Sequence, residues 1–206
     1  MAIADSELVS HSGLKHAIER FEDVGDVLSA YSKEDLYSII DSAQPQLLVV
    51  DPYLSDLVTL SDLKEIRNKQ RELKILLISS SIKSFNLYQA ITRGFKVYLS
   101  KSCTTTELEG AVKAAMKGER FFCRKTVDVF LEVNNGDSGG YVISRLTERE
   151  IEVLELMIKG IQTEEIADRL HISYHTIVAH RKSILRKFKV NGSVELILKS
   201  LEIGLL

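Results

Sequence analysis

Short apolar runs alternate with amphipathic segments over the first 120 or so residues of the chain. The runs that predict strands are residues 1–4, 24–28, 47–50, 75–78 and 97–99. Elsewhere apolar residues recur every three or four positions, as in Leu108, Val112 and Met116, which predicts helices with one buried stripe. Strands that alternate with helices are typical of a parallel sheet covered by helices. We therefore predict an N-terminal α/β domain with five parallel strands in a doubly wound sheet.

The pattern changes after residue 121. Residues 125–133 have helical spacing and predict a short connector helix. The segment 134–144 holds two Asn, three Gly, two Ser and one Asp, a composition that turns easily and buries little apolar surface. Beyond it, the apolar repeats are helical. The predicted domains are an α/β domain at 1–121, a connector helix and linker at 122–144, and an all-helical domain at 145–206.

Residues that cap helices well mark three helix starts in the C-terminal domain. Thr147, with Glu150 three positions later, fits a capping box, in which each side chain caps the backbone of the other. Thr163 and Ser173 are predicted to cap a second and a third helix. Only a tight turn fits before Ser173, because the second helical repeat runs to Leu170. Two helices joined in this way predict a helix-turn-helix.

The third of these helices concentrates positive charge. The net charge of the chain is only −2, yet residues 181–189 hold five basic residues and no acidic one. Ile177, Ile184 and Phe188 share one side of the helix and predict its buried face. The other side combines charge for phosphates with side chains that reach base edges, so we predict that it contacts double-stranded DNA. The predicted DNA contacts are Ser173, Tyr174, His175, Thr176, Val178, Ala179, Arg181, Lys182, Arg186 and Lys189.

The residues of this face have different predicted roles. Lys182 is the main candidate for a base-edge or phosphate contact, while Val178 and Ala179 suit thymine methyl groups. The backbone amides at the Ser173 end suit a phosphate. The structural alternative is a basic face that is simply solvated, as isolated basic runs usually are. The surrounding capped helices favour the DNA interpretation.

A further apolar stripe follows the basic helix. Its members stand at positions i, i+3, i+4 and i+7 and are Val194, Ile197, Leu198 and Leu201. Such a stripe usually packs into a core, but DNA-binding helices that act in pairs also use one as a two-fold contact. The sequence leaves both interpretations open, and a homodimer is a prediction.

Several other classes do not fit the composition. Cys103 and Cys123 lie in no Cys-x-x-Cys or Cys/His pattern, so we predict neither a zinc site nor a disulfide framework. The first residues lack a basic and apolar leader, and no apolar run approaches the about 20 residues that cross a bilayer. We therefore expect a cytoplasmic protein that does not contact membranes.

The C-terminal segment resembles a known family. The residues that carry the likeness are Leu146-Thr147-Glu148-Arg149-Glu150, Gly160, Glu165-Ile166-Ala167, Leu170, Ile172-Ser173, Thr176-Ile177 and His180-Arg181. Over residues 146–206 this series resembles the four-helix LuxR-type helix-turn-helix of NarL/FixJ response regulators. The resemblance implies that the third helix enters the major groove and that the fourth dimerises. The family often has lysine where Val178 stands, so the sequence preference is expected to differ.

The N-terminal domain in turn resembles the receiver domain of the same regulators, a five-stranded flavodoxin-like fold. Asp51 follows the third apolar run, Ser79 the fourth, and Lys101 the fifth, which contains Tyr98. The resemblance implies that Asp51 accepts a phosphoryl group from a sensor histidine kinase, that Ser79 and Lys101 hold it, and that Ser79 and Tyr98 act as the switch. It also implies a Mg²⁺ ion at Asp5 and Asp51.

The sequence departs from the receiver pattern around this pocket. Where receivers usually carry two adjacent acidic residues, this chain has Asp5 and Ser6, with Glu7 one place later. A serine supplies no carboxylate, so the predicted magnesium site is weakened. Ser55 and Thr59 replace an expected proline and glycine. The predicted pocket is Asp5, Ser6, Glu7, Ser79 and Lys101 around Asp51.

Simple structural roles also suit the two main pocket residues. Asp51 could simply cap the turn after its strand, and Lys101 could lie along the sheet edge with its head in water. Their joint spacing with Ser79 and Tyr98 favours a receiver fold, whereas phosphorylation is a separate question.

The leading prediction is a DNA-binding transcription regulator whose receiver domain controls the DNA-binding helices, by phosphorylation at Asp51. The alternative is a regulator with a pseudo-receiver that oligomerisation, a partner protein or a ligand controls. A flavodoxin-like enzyme is a third hypothesis. We predict no enzyme, because the sequence has no Gly-x-Ser-x-Gly elbow, phosphate-binding glycine loop, dinucleotide fingerprint or His-Glu-x-x-His motif.

Overall fold

The computed structural model describes residues 1–53, 57–80, 82–134, 145–202 and 205. They divide into two compact units: the larger comprises the described residues within 1–82 and 89–129, and the smaller those within 83–88 and 130–206. Ser55 and most of the predicted linker lie outside the described residues. The exact domain boundaries therefore stay a prediction.

The first unit contains a parallel sheet with strand order β2-β1-β3-β4-β5-β6. Its strands are β1 Ala2–Ala4, β2 Leu28–Ala30, β3 Leu47–Val50, β4 Lys74–Ser79, β5 Val97–Ser100 and β6 Phe121–Phe122. Strands β1, β3 and β5 are buried along their whole length, as expected for strands with helices on both faces. The predicted parallel α/β fold is confirmed.

Helices alternate with these strands and follow the last one. They are α1 Leu8–Ile18, α2 Lys33–Ala43, α3 Leu60–Lys69, α4 Ser84–Thr92, α5 Thr105–Lys117 and α6 Arg124–Asn134. Capping boxes begin three of them, at Ser32, Thr59 and Thr104. Thr59, which replaces the glycine of the receiver pattern, therefore starts α3. In the predicted stripe of α5, Leu108 and Val112 are buried but Met116 is exposed.

Two details of the predicted sheet are wrong. The sheet has six strands instead of five, because Phe121 and Phe122 pair in parallel with Val97 and Tyr98. A two-residue strand is too short to leave a periodic signal. The second strand is Leu28–Ala30 and not residues 24–28. Val24 and Val27 pack against the core without forming strand, because Gly25 and Asp26 interrupt the run.

The second unit has helices and no strand among its described residues, as predicted. Its helices are α7 Glu148–Ile158, α8 Thr163–Leu170, α9 Tyr174–Phe188 and α10 Ser193–Glu202. The predicted capping box of Thr147 and Glu150 is confirmed, and Gly160 ends the first helix region with a φ of +76°. The predicted cap at Thr163 is wrong, because Gln162 occupies the N-cap and Thr163 is the first helical residue.

Candidate functional site

A charged pocket lies where three parallel strands end. Asp5 follows β1, Asp51 follows β3 and Lys101 follows β5, so the topology brings the three side chains to one edge of the sheet. The Lys101 Nζ is 2.8 Å from Asp5 Oδ2 and 3.3 Å from Asp51 Oδ2. Ser79, the last residue of β4, is buried. The structure thus groups Asp5, Asp51 and Lys101 and buries Ser79 at the end of the neighbouring strand.

Both carboxylate oxygens of Asp5 accept hydrogen bonds. Its Oδ1 accepts one from the Glu7 backbone amide at 2.8 Å, and its Oδ2 accepts one from Ser10 Oγ at 2.7 Å as well as the contact from Lys101. Burial raises the pKa of Asp5, but the hydrogen bonds from Lys101 and Ser10 outweigh burial and leave the pKa below its usual value.

Asp51 has a different environment. Its side chain is 1% exposed, and its Oδ1 accepts a hydrogen bond from the Tyr53 amide at 3.0 Å. Burial raises the pKa of Asp51 above its usual value, because the Tyr53 amide and Lys101 only partly offset the cost of desolvation. For Lys101, burial lowers the pKa, but the neighbouring carboxylates outweigh burial and raise it. The pocket therefore holds Lys101 as an ammonium between two buried acids.

The residues next to Asp5 contribute unequally. Ser6 is exposed, whereas Glu7 lies at the pocket rim with its Oε2 at 3.5 Å from Lys101 Nζ. Ser10 was missed in the sequence analysis. It lies in the first turn of α1, five residues after Asp5, and neither its type nor its spacing marks it as a pocket residue.

The residues present fit the predicted magnesium site poorly. Mg²⁺ requires near-octahedral oxygen ligands at about 2.1 Å. Both oxygens of Asp5 already accept hydrogen bonds, Ser6 lacks a carboxylate, and the buried Asp51 Oδ2 has the ammonium of Lys101 at 3.3 Å. Among the residues that the structure describes, no group of three or more His, Cys, Asp or Glu side chains is placed to hold a metal ion.

Tyr98, the predicted switch aromatic, is 1% exposed and points into the fold. Its ring centroid is 6.4 Å from that of Tyr53. Burial, followed by the negative charge of Asp51, raises the pKa of the Tyr98 hydroxyl, so this group stays protonated. The backbone carbonyl of Tyr98 accepts a hydrogen bond from Thr126 of α6 at 3.4 Å.

A cavity of about 700 Å³ adjoins the charged pocket. Glu7 and Lys101 form its polar side, and Leu8, Leu14 and Leu108 supply apolar surface. Its volume lies within the range of about 300–1,000 Å³ that small-molecule sites occupy.

The candidate DNA-binding surface lies on α9. Ile177, Ile184 and Phe188 are buried, as predicted, so the opposite side of the helix faces solvent. Ser173 caps the helix, because its Oγ accepts a hydrogen bond from the Thr176 amide at 3.1 Å. The exposed members of the predicted set are Ser173, Tyr174, His175, Thr176, Val178, Ala179, Lys182, Arg186 and Lys189.

Two basic residues of the 181–189 segment are held within the unit. Arg181 is only partly exposed and donates a hydrogen bond to Ser193 Oγ at 2.9 Å. Lys187 donates to Glu150 Oε2 at 2.6 Å. The charge that faces solvent on this segment is therefore that of Lys182, Arg186 and Lys189.

Helix α10 presents much of its apolar stripe to solvent. Val194 is 75% exposed, Leu198 58% and Leu201 54%. Ile197 is partly buried, while Leu196 and Ser200 fill the core side. The stripe is therefore largely unused by the packing of its own unit.

Comparisons with known proteins agree with this architecture. The family described as "Response regulator receiver domain" matches residues 1–113, more than half of the chain, and "Bacterial regulatory proteins, luxR family" matches residues 144–200. The chain belongs to the response regulators that carry a receiver domain and a LuxR-type helix-turn-helix domain. This membership makes it a regulatory protein and not an enzyme.

Named relatives align with this chain over nearly their whole length. The response regulator protein VraR of Staphylococcus epidermidis is 25% identical over 205 residues, which is 99% of this chain and 96% of that protein. VraR of Staphylococcus aureus is 24% identical over the same shares. RcsB from Salmonella enterica serovar Typhimurium, solved bound to the promoter rprA, has a TM-score of 0.72 at 22% identity and covers 96% of both chains. The last likeness concerns the fold. Within the described part of the chain, no helix has the length and apolar character needed to cross a membrane.

Proposed function

We propose that this response regulator binds double-stranded DNA through the exposed side of α9 and that the charged pocket controls this binding. The observation that carries the proposal is the distribution of basic residues between the buried and the solvent-facing sides of α9. Arg181 and Lys187 are bound within the unit, whereas Lys182, Arg186 and Lys189 share the solvent side with two small apolar residues. Val178, which is 41% exposed, adds apolar surface next to these cations.

The exposed side chains divide into two groups by chemistry. Lys182, Arg186 and Lys189 supply charge for phosphates or guanine edges, and Val178 and Ala179 supply apolar surface for thymine methyl groups. The first-turn amides of α9 lie at Ser173 and suit one phosphate. Arg181 contributes positive electrostatic potential and helps to position α9 more than it contacts DNA directly, because its guanidinium donates a hydrogen bond to Ser193 Oγ.

A DNA-selection experiment tests the proposal. Wild type should enrich a defined sequence, and Lys182→Ala should bind that site more weakly and lower the slope of log affinity against log salt by about 1. Lys159→Ala is the matched control, because Lys159 is an exposed lysine of the same unit outside α9. Equal salt slopes for wild type and Lys182→Ala would count against the interface.

The phosphorylation form of the proposal has Asp51 accept a phosphoryl group from a sensor histidine kinase. The added negative charge beside Lys101 and Ser79 would then shift the equilibrium between two conformations of the region around Tyr98. Incubation with acetyl phosphate and Mg²⁺, followed by mass spectrometry, should show a phosphoryl gain that Asp51→Ala abolishes. If the wild type stays unmodified, the phosphorylation form of the proposal is wrong, and the proposal of DNA binding is unaffected.

A specific observation favours the second candidate, a pseudo-receiver. Lys101 already neutralises part of the charge of Asp5 and Asp51, and the adjoining cavity of about 700 Å³ can take a ligand. This candidate predicts that Asp51→Ala retains regulated DNA binding. Loss of regulation in Asp51→Ala would favour phosphorylation instead.

We also propose that the protein acts as a homodimer in the cytoplasm. The exposed stripe Val194, Leu198 and Leu201 of α10 supports this part of the proposal, with Ile197 at its edge. A two-fold pair of such helices would place two α9 helices on two half-sites.

A further inference from the structure

One ammonium group serves three carboxylates in the charged pocket. Lys101 Nζ lies 2.8 Å from Asp5, 3.3 Å from Asp51 and 3.5 Å from Glu7. The Lys101 side chain is 12% exposed, and those of Asp5 and Asp51 are 3% and 1% exposed. Buried carboxylates require a counter-ion, and here a side chain of the chain itself supplies it.

We infer that Lys101 is the permanent counter-ion of this pocket and that the pocket holds no divalent cation in its working state. The inference rests on the proposed function only in treating this pocket as the control site. It replaces the metal of the receiver pattern with a covalently attached ammonium. The carboxylate positions would then be set by Lys101 whatever the magnesium concentration.

The arrangement of donors around Asp5 supports this inference. Asp5 Oδ2 accepts from both Ser10 Oγ and Lys101 Nζ, and Oδ1 accepts from the Glu7 amide, so a cation that bound Asp5 would compete with two donors at Oδ2 or share Oδ1 with the amide. An ammonium contacts oxygens at about 2.8 Å, whereas Mg²⁺ would have to draw them in to about 2.1 Å.

Position 6 supports it independently. Ser6 is exposed and adds no negative charge, so the acids around Lys101 are Asp5, Asp51 and the more exposed Glu7. With one carboxylate fewer than the receiver pattern, a divalent cation gains less attraction to offset its own dehydration and the loss of the Lys101 contacts. Adding a carboxylate at position 6, or removing the ammonium, should reverse this balance.

Magnesium titration of the full-length protein tests the inference. Thermal unfolding would be followed in MgCl2 against KCl of equal ionic strength, with isothermal titration calorimetry as a second readout. Wild type should show no saturable response. Ser6→Asp and Lys101→Met should each show a saturable rise in Tm and measurable heat of binding, because bound cation stabilises the folded state. Lys117→Met is the control, since Lys117 is exposed and lies on α5 away from the pocket.

The outcomes test the inference about magnesium and not the proposed DNA interface. Saturable magnesium binding by wild type would overturn it, as would a Lys101→Met protein that folds and stays unresponsive. Should Lys101→Met fail to fold, Ser6→Asp and wild type still decide, because Ser6→Asp keeps every native contact of Lys101. A response from Ser6→Asp but not from wild type supports the inference, a response from wild type contradicts it, and silence from both removes only the argument from position 6. DNA affinity measured on the same samples separates these results from a failure of the proposed DNA interface.

Discussion

Glu150 joins two helices of the C-terminal unit through one buried carboxylate. It completes the capping box with Thr147 at the start of α7 and accepts a hydrogen bond from Lys187 of α9 at 2.6 Å. Burial raises the pKa of Glu150, but the hydrogen bonds from Lys187 and Thr147 outweigh burial and lower the pKa to about 2. The residue therefore fixes the helix that carries the predicted DNA contacts to the helix that begins the unit.

Replacement of this carboxylate should be costly at neutral pH. Glu150→Gln should lower the free energy of unfolding by about 2 kcal/mol, because Lys187 loses its partner. The folded pKa is depressed, so the contribution is complete above the ordinary value of 4.5 and is lost as the pH falls through about 2. Urea unfolding between pH 7 and pH 2 should thus show the two proteins converging in acid. Glu152→Gln, which breaks a more exposed pair with Arg149, should change stability by less than about 1 kcal/mol. A constant gap across this range would contradict the assignment.

His11 is a buried residue whose environment opposes its charged form, whereas the environment of Glu150 favours the charged form. It is 0% exposed, and its ring packs against that of Tyr31 with centroids 4.4 Å apart and the ring planes tilted by 38°. Within the described part of the chain, neither ring nitrogen has a hydrogen-bond partner. Burial lowers the pKa of His11, although Asp5 opposes the shift, so the folded state disfavours the imidazolium.

An aromatic ring without polar atoms should therefore be tolerated at position 11. We expect His11→Phe to be as stable as wild type or up to about 1 kcal/mol more stable at pH 7. Because the folded pKa lies below the unfolded value of 6.5, wild type should lose stability as the pH falls below 6.5, and the variant should lack this component. Equilibrium unfolding at pH 7 and pH 5 measures both effects. Destabilisation by more than 1 kcal/mol would show that the ring nitrogens do make a favourable contact.

At the scale of elements, the turn between α8 and α9 depends on one strained residue. His171 ends α8 in the left-handed region with φ of 52°, and its amide bonds the carbonyls of Ala167 and Asp168. A residue other than glycine costs about 1–2 kcal/mol in this left-handed backbone region. Gly160 holds the same kind of position after α7 without that cost.

Exchange of residue types at these two positions should have opposite effects. His171→Gly should raise the free energy of unfolding by about 0.5–1 kcal/mol, and Gly160→Ala should lower it by about 1 kcal/mol. An added Cβ at Gly160 meets no atom within 4 Å, so the loss would come from the backbone alone. Thermal and urea unfolding of the two variants give the comparison. Equal signs for the two changes would refute this account of the turn.

Elements with a clear period were the ones that the sequence predicted well. The buried strands β3 and β4 and the helices α7 and α9 follow from apolar spacing and capping residues such as Thr147 and Ser173. Strand β6 is only two residues long, and β2 begins where the apolar run ends, so both depend on pairing with neighbours that a local pattern does not contain.

The candidate sites also contain features that the sequence predicted and features that it did not. The convergence of Asp5, Asp51 and Lys101 follows from parallel topology, which places the carboxyl ends of strands together. The contacts of Ser10 with Asp5, Arg181 with Ser193 and Lys187 with Glu150 join residues whose approach only the packed structure reveals. Spacing along α9 could identify which residues face outward, but not which of its cations are already bound.

At the scale of the whole molecule, DNA recognition depends on how many copies bind together. A single helix-turn-helix reads a short half-site, and linking two copies raises affinity by about 100-fold or more without a new DNA contact. The stripe on α10 is the apolar surface that the C-terminal unit leaves exposed on its last described helix. If it joins two copies, a change there should weaken DNA binding without touching a DNA contact.

Leu198→Glu tests this coupling. Leu198 is 58% exposed, so the free energy of unfolding of the unit should change by less than about 0.5 kcal/mol. Sedimentation equilibrium should show a shift from dimer to monomer, because a charge on the stripe opposes its burial against a second copy. Affinity for DNA with two half-sites should fall at least about tenfold, while affinity for one half-site should stay unchanged. Met116→Glu, which places the same charge on an exposed apolar position of α5, should leave both measurements at their wild-type values. An unaltered association state in Leu198→Glu would show that the exposed stripe has a role other than joining two copies.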